Sequence, residues 1–425
     1  MTIAPYSGSI FWGLFFLFVF LHACMKPILR VPWIRNIYMI IFSIIMVLGV
    51  QGTVQSFILL PFLFGITILV YAAGKALLSD FFGSTKSKVN ITAISIVIFI
   101  LCYFKYSYFQ LAINSLYFNL ISLFDNHPKG VEKHIFIIGV SYFSFKFIHF
   151  LQDCHNKKIS NLSFLTFLNY ILFFPNFFSG PINRYNSFSG NLNDKQSIKF
   201  SDYPEGGKRI INGLFKKVVL ANNLLPFSIV ALDLTDPSLT PLKAILGIYA
   251  YMLYAYFDFS GYSDMAIGGG KMVGIDLPEN FNYPFFKRNL QQFWANWHMS
   301  LTQWLTDYIY WPLVRKMRHV PSLRKLPVTN SNICIIITFM VCGIWHGDGI
   351  HFFLWGSYHG IGLALLNVYT YIEKKYFKKE WIYFINRTKL GYSISTLITF
   401  QYAAFGFLLF GYNIEQLKMF FGIFI

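Results

Sequence analysis

Between Asn36 and Gly74 the chain carries no Asp, Glu, Lys or Arg. A bilayer crossing takes about 20 predominantly apolar residues, so a run of this length fits two crossings. Lipid offers no partner to backbone N–H and C=O groups, and a spanning segment that satisfies them internally is a helix. The break between the two crossings is expected at Gly49-Val50-Gln51-Gly52. Comparable apolar runs cover 1–25, 90–112, 134–152, 163–179, 210–232, 242–257, 332–347, 350–372 and 393–413. Charged residues make up 12% of the 425 positions, against about 25% in soluble domains, which argues against a set of soluble domains. The reading is an all-α polytopic membrane protein. It would have about ten or eleven membrane helices, plus short re-entrant or interfacial helices around a central tunnel. A single membrane-embedded domain over 1–425 is expected, with N-terminal helices over 1–130 and a motif-bearing core over 131–425.

The formal net charge of +17 does not point to nucleic acid, because the basic residues form short clusters between apolar runs. Lys26, Arg30 and Arg35 follow the first run; Lys75, Lys86 and Lys88 follow the third; Lys157 and Lys158 follow the fifth. Cytoplasmic loops carry such an excess, so these gaps are read as cytoplasmic and the N-terminus as lying on the far side. Residues 1–25 lack both the basic start and the small-residue cleavage site of a signal peptide; they are expected to remain as a helix. Cys24, Cys102, Cys154, Cys334 and Cys342 have no metal-site or CxxC spacing and are read as small buried hydrophobes. No metal site is indicated.

The stretch 258–325 is semi-polar, rich in Gly and aromatics, and reads as too broken for simple spans. Such sequence at membrane depth has to line a protected interior. Two histidines stand in suggestive settings. His298 lies in Phe-Trp-Ala-Asn-Trp-His-Met-Ser-Leu at 293–301, ahead of Trp-Leu-Thr-Asp-Tyr at 304–308. His346 lies in Gly-Ile-Trp-His-Gly-Asp-Gly at 343–349, closing a charge-free run. An ionisable residue there is a functional candidate; an interfacial aromatic belt with a hydrogen-bonded imidazole is the competing reading. His351 and His359 read as packing or interfacial residues. Asp258 and Asp264 fit either a proton or cation site or helix-end hydrogen bonding. Gly268-Gly269-Gly270-Lys271 is not a phosphate loop, since Lys271 is followed by Met272, and a Gly-x-Ser-x-Gly elbow is missing from the sequence.

From about residue 136 onward the sequence resembles the membrane-bound O-acyltransferases. Seven ordered motifs carry the likeness: Gly-Val-Ser-Tyr-Phe-Ser-Phe-Lys at 139–146, Phe-Phe-Pro-Asn-Phe-Phe-Ser-Gly-Pro-Ile-Asn-Arg-Tyr at 173–185 and Gly-Leu-Phe-Lys-Lys-Val-Val-Leu-Ala at 213–221. They continue with Phe-Ser-Gly-Tyr-Ser-Asp-Met-Ala-Ile-Gly at 259–268, Leu-Pro-Glu-Asn-Phe-Asn-Tyr-Pro at 277–284, Trp-His-Met-Ser-Leu at 297–301 and Trp-His-Gly at 345–347.

The resemblance is to the bacterial branch that modifies envelope polymers with D-alanyl or acetyl groups. It implies His346 as the catalytic residue and His298 as a second active-site residue, with Asn296, Trp297, Trp345, Ser300 and Asp307 as substrate or tunnel residues. It implies no tightly bound cofactor and a thioester donor, either acyl carrier protein phosphopantetheine or acyl-coenzyme A. It further implies a multi-pass position in the bacterial cytoplasmic membrane, with membrane lipid, a cytoplasmic donor carrier and an extracytoplasmic acyltransferase or relay protein as partners. A non-catalytic transporter or flippase in a polymer-modification or export complex is the alternative.

Overall fold

The computed structural model describes residues 9–51, 53–79, 82–121, 139–159, 161–194, 199–376 and 388–424. The boundary expected at 130/131 and the start of the 134–152 run lie outside them. Every regular element among the described residues is helical. The chain contacts divide into two units, Met1–Ile211 with Ser263–Pro278, and Asn212–Tyr262 with Glu279–Ile425.

In the first unit the helices are α1 (Ser9–Cys24), α2 (Pro32–Gln51), α3 (Thr53–Leu78), α4 (Lys86–Lys105) and α5 (Ser107–Ile121). They continue with α6 (Val140–His155), α7 (Phe164–Leu172), α8 (Tyr185–Asn193) and α9 (Asp202–Leu214), which ends in the second unit. The break between α2 and α3 falls where the glycines announce it. Other breaks were not foreseen. Tyr106 turns extended between α4 and α5, and Phe173 leaves helical geometry (φ −49°, ψ 104°) before Pro175, stopping α7 at Leu172 instead of near 179. The core is a mesh of rings, in which Phe150 and Phe167 stand 4.1 Å apart and Tyr170 packs edge-on to Tyr185.

Several polar groups inside this core are paired. The buried guanidinium of Arg35 donates to the carbonyls of Asn191, Leu192, Val273 and Gly274. The buried Lys146 ammonium donates to Tyr170 O at 2.9 Å and to Asn176 Oδ1 at 3.0 Å. The Tyr170 hydroxyl donates to Asn183 O and lies 2.9 Å from His149 Nε2. The motifs at 139–146 and 173–185 therefore meet in one buried hydrogen-bonded cluster.

The second unit begins with a π-helical turn (Phe215–Ala221) and α10 (Asn222–Leu224), and most of α11 (Pro241–Met272) belongs to it. Short helices follow: α12 (Leu290–Trp294), α13 (Met299–Leu305), a π-helical turn (Thr306–Tyr310), α14 (Trp311–Met317) and α15 (Pro321–Arg324). The long helices α16 (Pro327–His346), α17 (Ile350–Tyr376) and α18 (Lys389–Gly411) and the short α19 (Ile414–Gly422) complete it. The segment expected as one span over 210–232 starts earlier, in α9, and ends earlier. Helical geometry continues from α9 through the π-helical turn to Leu224 and gives way to 3-10 turns at Pro226, which has no backbone donor. Conversely α11 continues far past 257, so 258–272 is helix and not broken segment. The helix tolerates its two acids because each has a cation. Lys217 pairs with Asp258 in the second unit, and Arg209 with Asp264 at 2.9 Å in the first. Helix-borne ion pairs replace the cation-site reading of these aspartates.

Among the described residues five helices, at Pro32–Gly49, Leu59–Leu78, Gly83–Lys105, Pro327–His346 and Lys389–Gly411, are long and apolar enough to cross a membrane. Only 17–44% of each window is buried in protein, and Leu69, Ile91, Leu397 and Ile398 are exposed. Apolar side chains turned outward in this way suit lipid as the surrounding solvent. The shorter apolar helices add to an all-α, multi-pass membrane protein. Of the five free cysteines, Cys154, Cys334 and Cys342 are buried as expected; Cys24 is exposed and Cys102 half-buried, because α1 and α4 have open faces.

Candidate active site

α16 and α17 form a tight antiparallel hairpin joined at Gly347-Asp348-Gly349. The close approach is made by glycine. A Cβ on Gly343 would fall inside 3.0 Å of Phe352 O, and one on Gly356 inside 3.0 Å of Phe339 O. This contact places His346, the last residue of α16, half-buried beside the turn. Its ring lies 4.6 Å from Trp345 and edge-on to Trp355 and Phe410, each at 5.0 Å. Aromatic edges and faces orient an imidazole without neutralising it.

His298 is built differently. It is 5% exposed and caps α13 with a left-handed backbone, φ 43° and ψ 52°. Few non-glycine residues adopt that region, and it persists where surrounding structure dictates it. The dictation comes from the 279–283 segment. Asn282 N donates to Asn296 O, Met299 N to Asn280 O, and both the backbone N and the hydroxyl of Ser300 to the Asn280 side chain. Phe281 and Trp297 form a β-bridge between the same two segments. The motifs at 277–284 and 297–301 thus form one clamp around His298.

Trp297 and Ser300 are buried in that clamp, whereas the Asn296 amide donates to Gln292 O along α12. Asp307 accepts from Gln303 Nε2 in the second π-helical turn. Trp345 is the immediate ring neighbour of His346.

A continuous path of rings joins the two imidazoles. From His298 it runs through Phe259 (4.6 Å), Phe281 (5.2 Å), Trp297 (5.0 Å), Phe293 (5.8 Å), Trp294 (5.5 Å) and Trp355 (5.8 Å) to His346 (5.0 Å). Phe259, Phe281, Trp294 and Trp355 escape a reading by local spacing because their proximity is created by the fold. The ordered aromatics of the motifs at 259–268, 277–284 and 293–301 were the available signal. Chemically the path supplies an apolar, water-poor wall with an imidazole at each end, a setting for proton transfer. Among the described residues no group of three His, Cys, Asp or Glu is placed to hold a metal ion.

The sequence profile of the membrane-bound O-acyltransferase family matches residues 54–410. The chain is 34% identical over 268 residues to a probable alginate O-acetylase of Azotobacter vinelandii, covering 63% of this chain and 51% of that protein. It is 31% identical over 307 residues to a teichoic acid D-alanyltransferase of Bacillus subtilis, covering 69% and 74%. A peptidoglycan O-acetyltransferase of Helicobacter pylori is 33% identical over 304 residues, covering 65% and 55%. The chain thus spans about half the length of the alginate relative.

Proposed function

The chain belongs to the membrane-bound O-acyltransferase family, and on that premise we propose that it moves a small acyl group, acetyl or D-alanyl, from a thioester to a hydroxyl of an envelope polymer or relay. The observation that carries the reading is the placement of His346: a half-buried imidazole held at a glycine-locked helix end among rings. In the reaction the His346 imidazole takes the acceptor's hydroxyl proton as its oxygen attacks the thioester carbonyl carbon. The C–S bond breaks and the imidazolium returns the proton to the departing thiolate. His298 acts from the other end of the ring path, holding the developing oxyanion or the acyl group.

Orientation follows from charge. Arg315, Lys316, Arg318, Arg324 and Lys325 precede α16, and Lys374 and Lys375 end α17, whereas the turn between them holds only Asp348. Positive residues stay cytoplasmic, so the hairpin turn, with His346, faces outward in a bacterial cytoplasmic membrane. The donor is a cytoplasmic acyl carrier protein or acyl-coenzyme A, and the receiving partner is extracytoplasmic.

The test uses purified full-length protein in lipid vesicles, supplied with radiolabelled acetyl-coenzyme A or D-alanyl pantetheine thioester and a hydroxyl-bearing acceptor polymer. His346→Ala, folded by thermal melt, is expected to lose about 10² to 10⁴ of ester formation. Undiminished ester formation by that variant overturns the assignment; label crossing the membrane without ester would point to a transporter.

A further inference from the structure

His359 lies on α17 and is 2% exposed. It is fixed by aromatic neighbours, Trp294 at 5.0 Å, Trp355 at 5.2 Å and Tyr402 at 5.9 Å. Gly406 of α18 makes room for it, since a Cβ there would fall inside 3.0 Å of His359 Nε2 and Cε1. So closely packed a histidine normally spends its nitrogens on hydrogen bonds. Here Nδ1 of His359 is buried and has no hydrogen-bond partner, and the buried indole Nε1 of the adjoining Trp294 has none either. Two neighbouring polar side chains, each more than nine-tenths buried, therefore present unspent hydrogen-bonding atoms to the interior. A single ring, Trp355, separates His359 from His346. Nine residues along α17 from Ile350, it lies roughly 13 Å from the hairpin turn toward the helix's basic end.

We infer that His359 and Trp294 form a seat for a neutral hydrogen-bonding group of the acyl donor, an amide or thioester carbonyl, on its way to His346. This rests on the acyltransferase reading above. Both side chains suit an uncharged ligand: the indole N–H donates only, and Nδ1 donates or accepts according to tautomer. A buried charge would demand an opposite charge, and among the described residues no ion pair involves either side chain. His359 is thus a binding residue; the proton transfers remain with His346.

The experiment measures steady-state ester formation in the vesicle assay, with thermal midpoints, for wild-type, His359→Leu, His359→Phe, His359→Asn, Trp294→Phe and His346→Ala protein. Loss of one hydrogen bond to the donor in both ground and transition states raises KM and spares kcat. An increase of about tenfold in donor KM is expected for His359→Leu and Trp294→Phe, with kcat within about twofold. His359→Asn, which keeps a short polar side chain, is expected to recover part of that loss. Because His359 Nδ1 has no hydrogen-bond partner within the protein, His359→Phe should melt at the wild-type temperature or above. A wild-type donor KM in folded His359→Leu or Trp294→Phe overturns the inference, as does a large fall in midpoint for both His359→Phe and His359→Leu, which marks a packing role. If wild-type protein forms no ester, or His346→Ala remains active, the acyltransferase reading fails first and takes this inference with it.

Discussion

His298 holds a backbone conformation that costs of order 1–3 kcal/mol for a residue with a Cβ, and the clamp from Asn280 and Phe281 keeps it there. Glycine at this position removes the strain and the imidazole together, while alanine removes only the imidazole. His298→Gly is therefore expected to melt higher than His298→Ala, with both impaired in ester formation; thermal melts and the vesicle assay separate the two effects. Lys146 has the opposite character. Truncation to Lys146→Ala strips Tyr170 O and Asn176 Oδ1 of a buried donor, at a cost of about 1–3 kcal/mol per orphaned group. A fall of several degrees in the melting midpoint is the expected reading. At this scale the sequence displayed His298 and His346 because each stands in a short, distinctive motif. It concealed His359, whose neighbours Trp294 and Gly406 come from α12 and α18 and leave no local periodicity. Asn296 was readable as a polar residue near a histidine, but from the turn after α12 its amide donates back to Gln292 O of that helix.

Helices α16 and α17 meet at backbone distance, so their contact has no side-chain slack. Gly343→Val and Gly356→Val are each expected to cost both folded yield and ester formation, since the added atoms would press on Phe352 O and Phe339 O. Gly13→Ala on α1, where a Cβ meets nothing within 4 Å, is the matching control and should be silent. Size-exclusion profiles and melts of the three proteins make the comparison. Helix boundaries set by glycine or by uncharged runs were legible, as between α2 and α3. The reach of α11 was not. Asp258 and Asp264 look incompatible with a long apolar helix until Lys217 and Arg209 are found opposite them, and those partners are 41 and 55 positions away in sequence. Short breaks at Tyr106 and Phe173 were equally hidden, because neither residue is a helix breaker by type.

For the whole molecule, the distribution of basic residues makes a topological statement that can be checked residue by residue. In a background stripped of its native cysteines, Lys158→Cys should react with a membrane-impermeant maleimide only after cells are opened. Asp348→Cys should react in intact cells; the reverse pattern would invert the assigned orientation. Apolar runs announced a membrane protein at once, since composition alone excludes water as the solvent for so much exposed Leu, Ile and Phe. The wall between His298 and His346 has a practical consequence. It contains the indoles of Trp294, Trp297 and Trp355 and abuts that of Trp345, so anything that enters will alter the local polarity sensed by natural fluorophores. Ultraviolet emission should then report occupancy in unlabelled protein, turning a barrier made of rings into its own optical gauge.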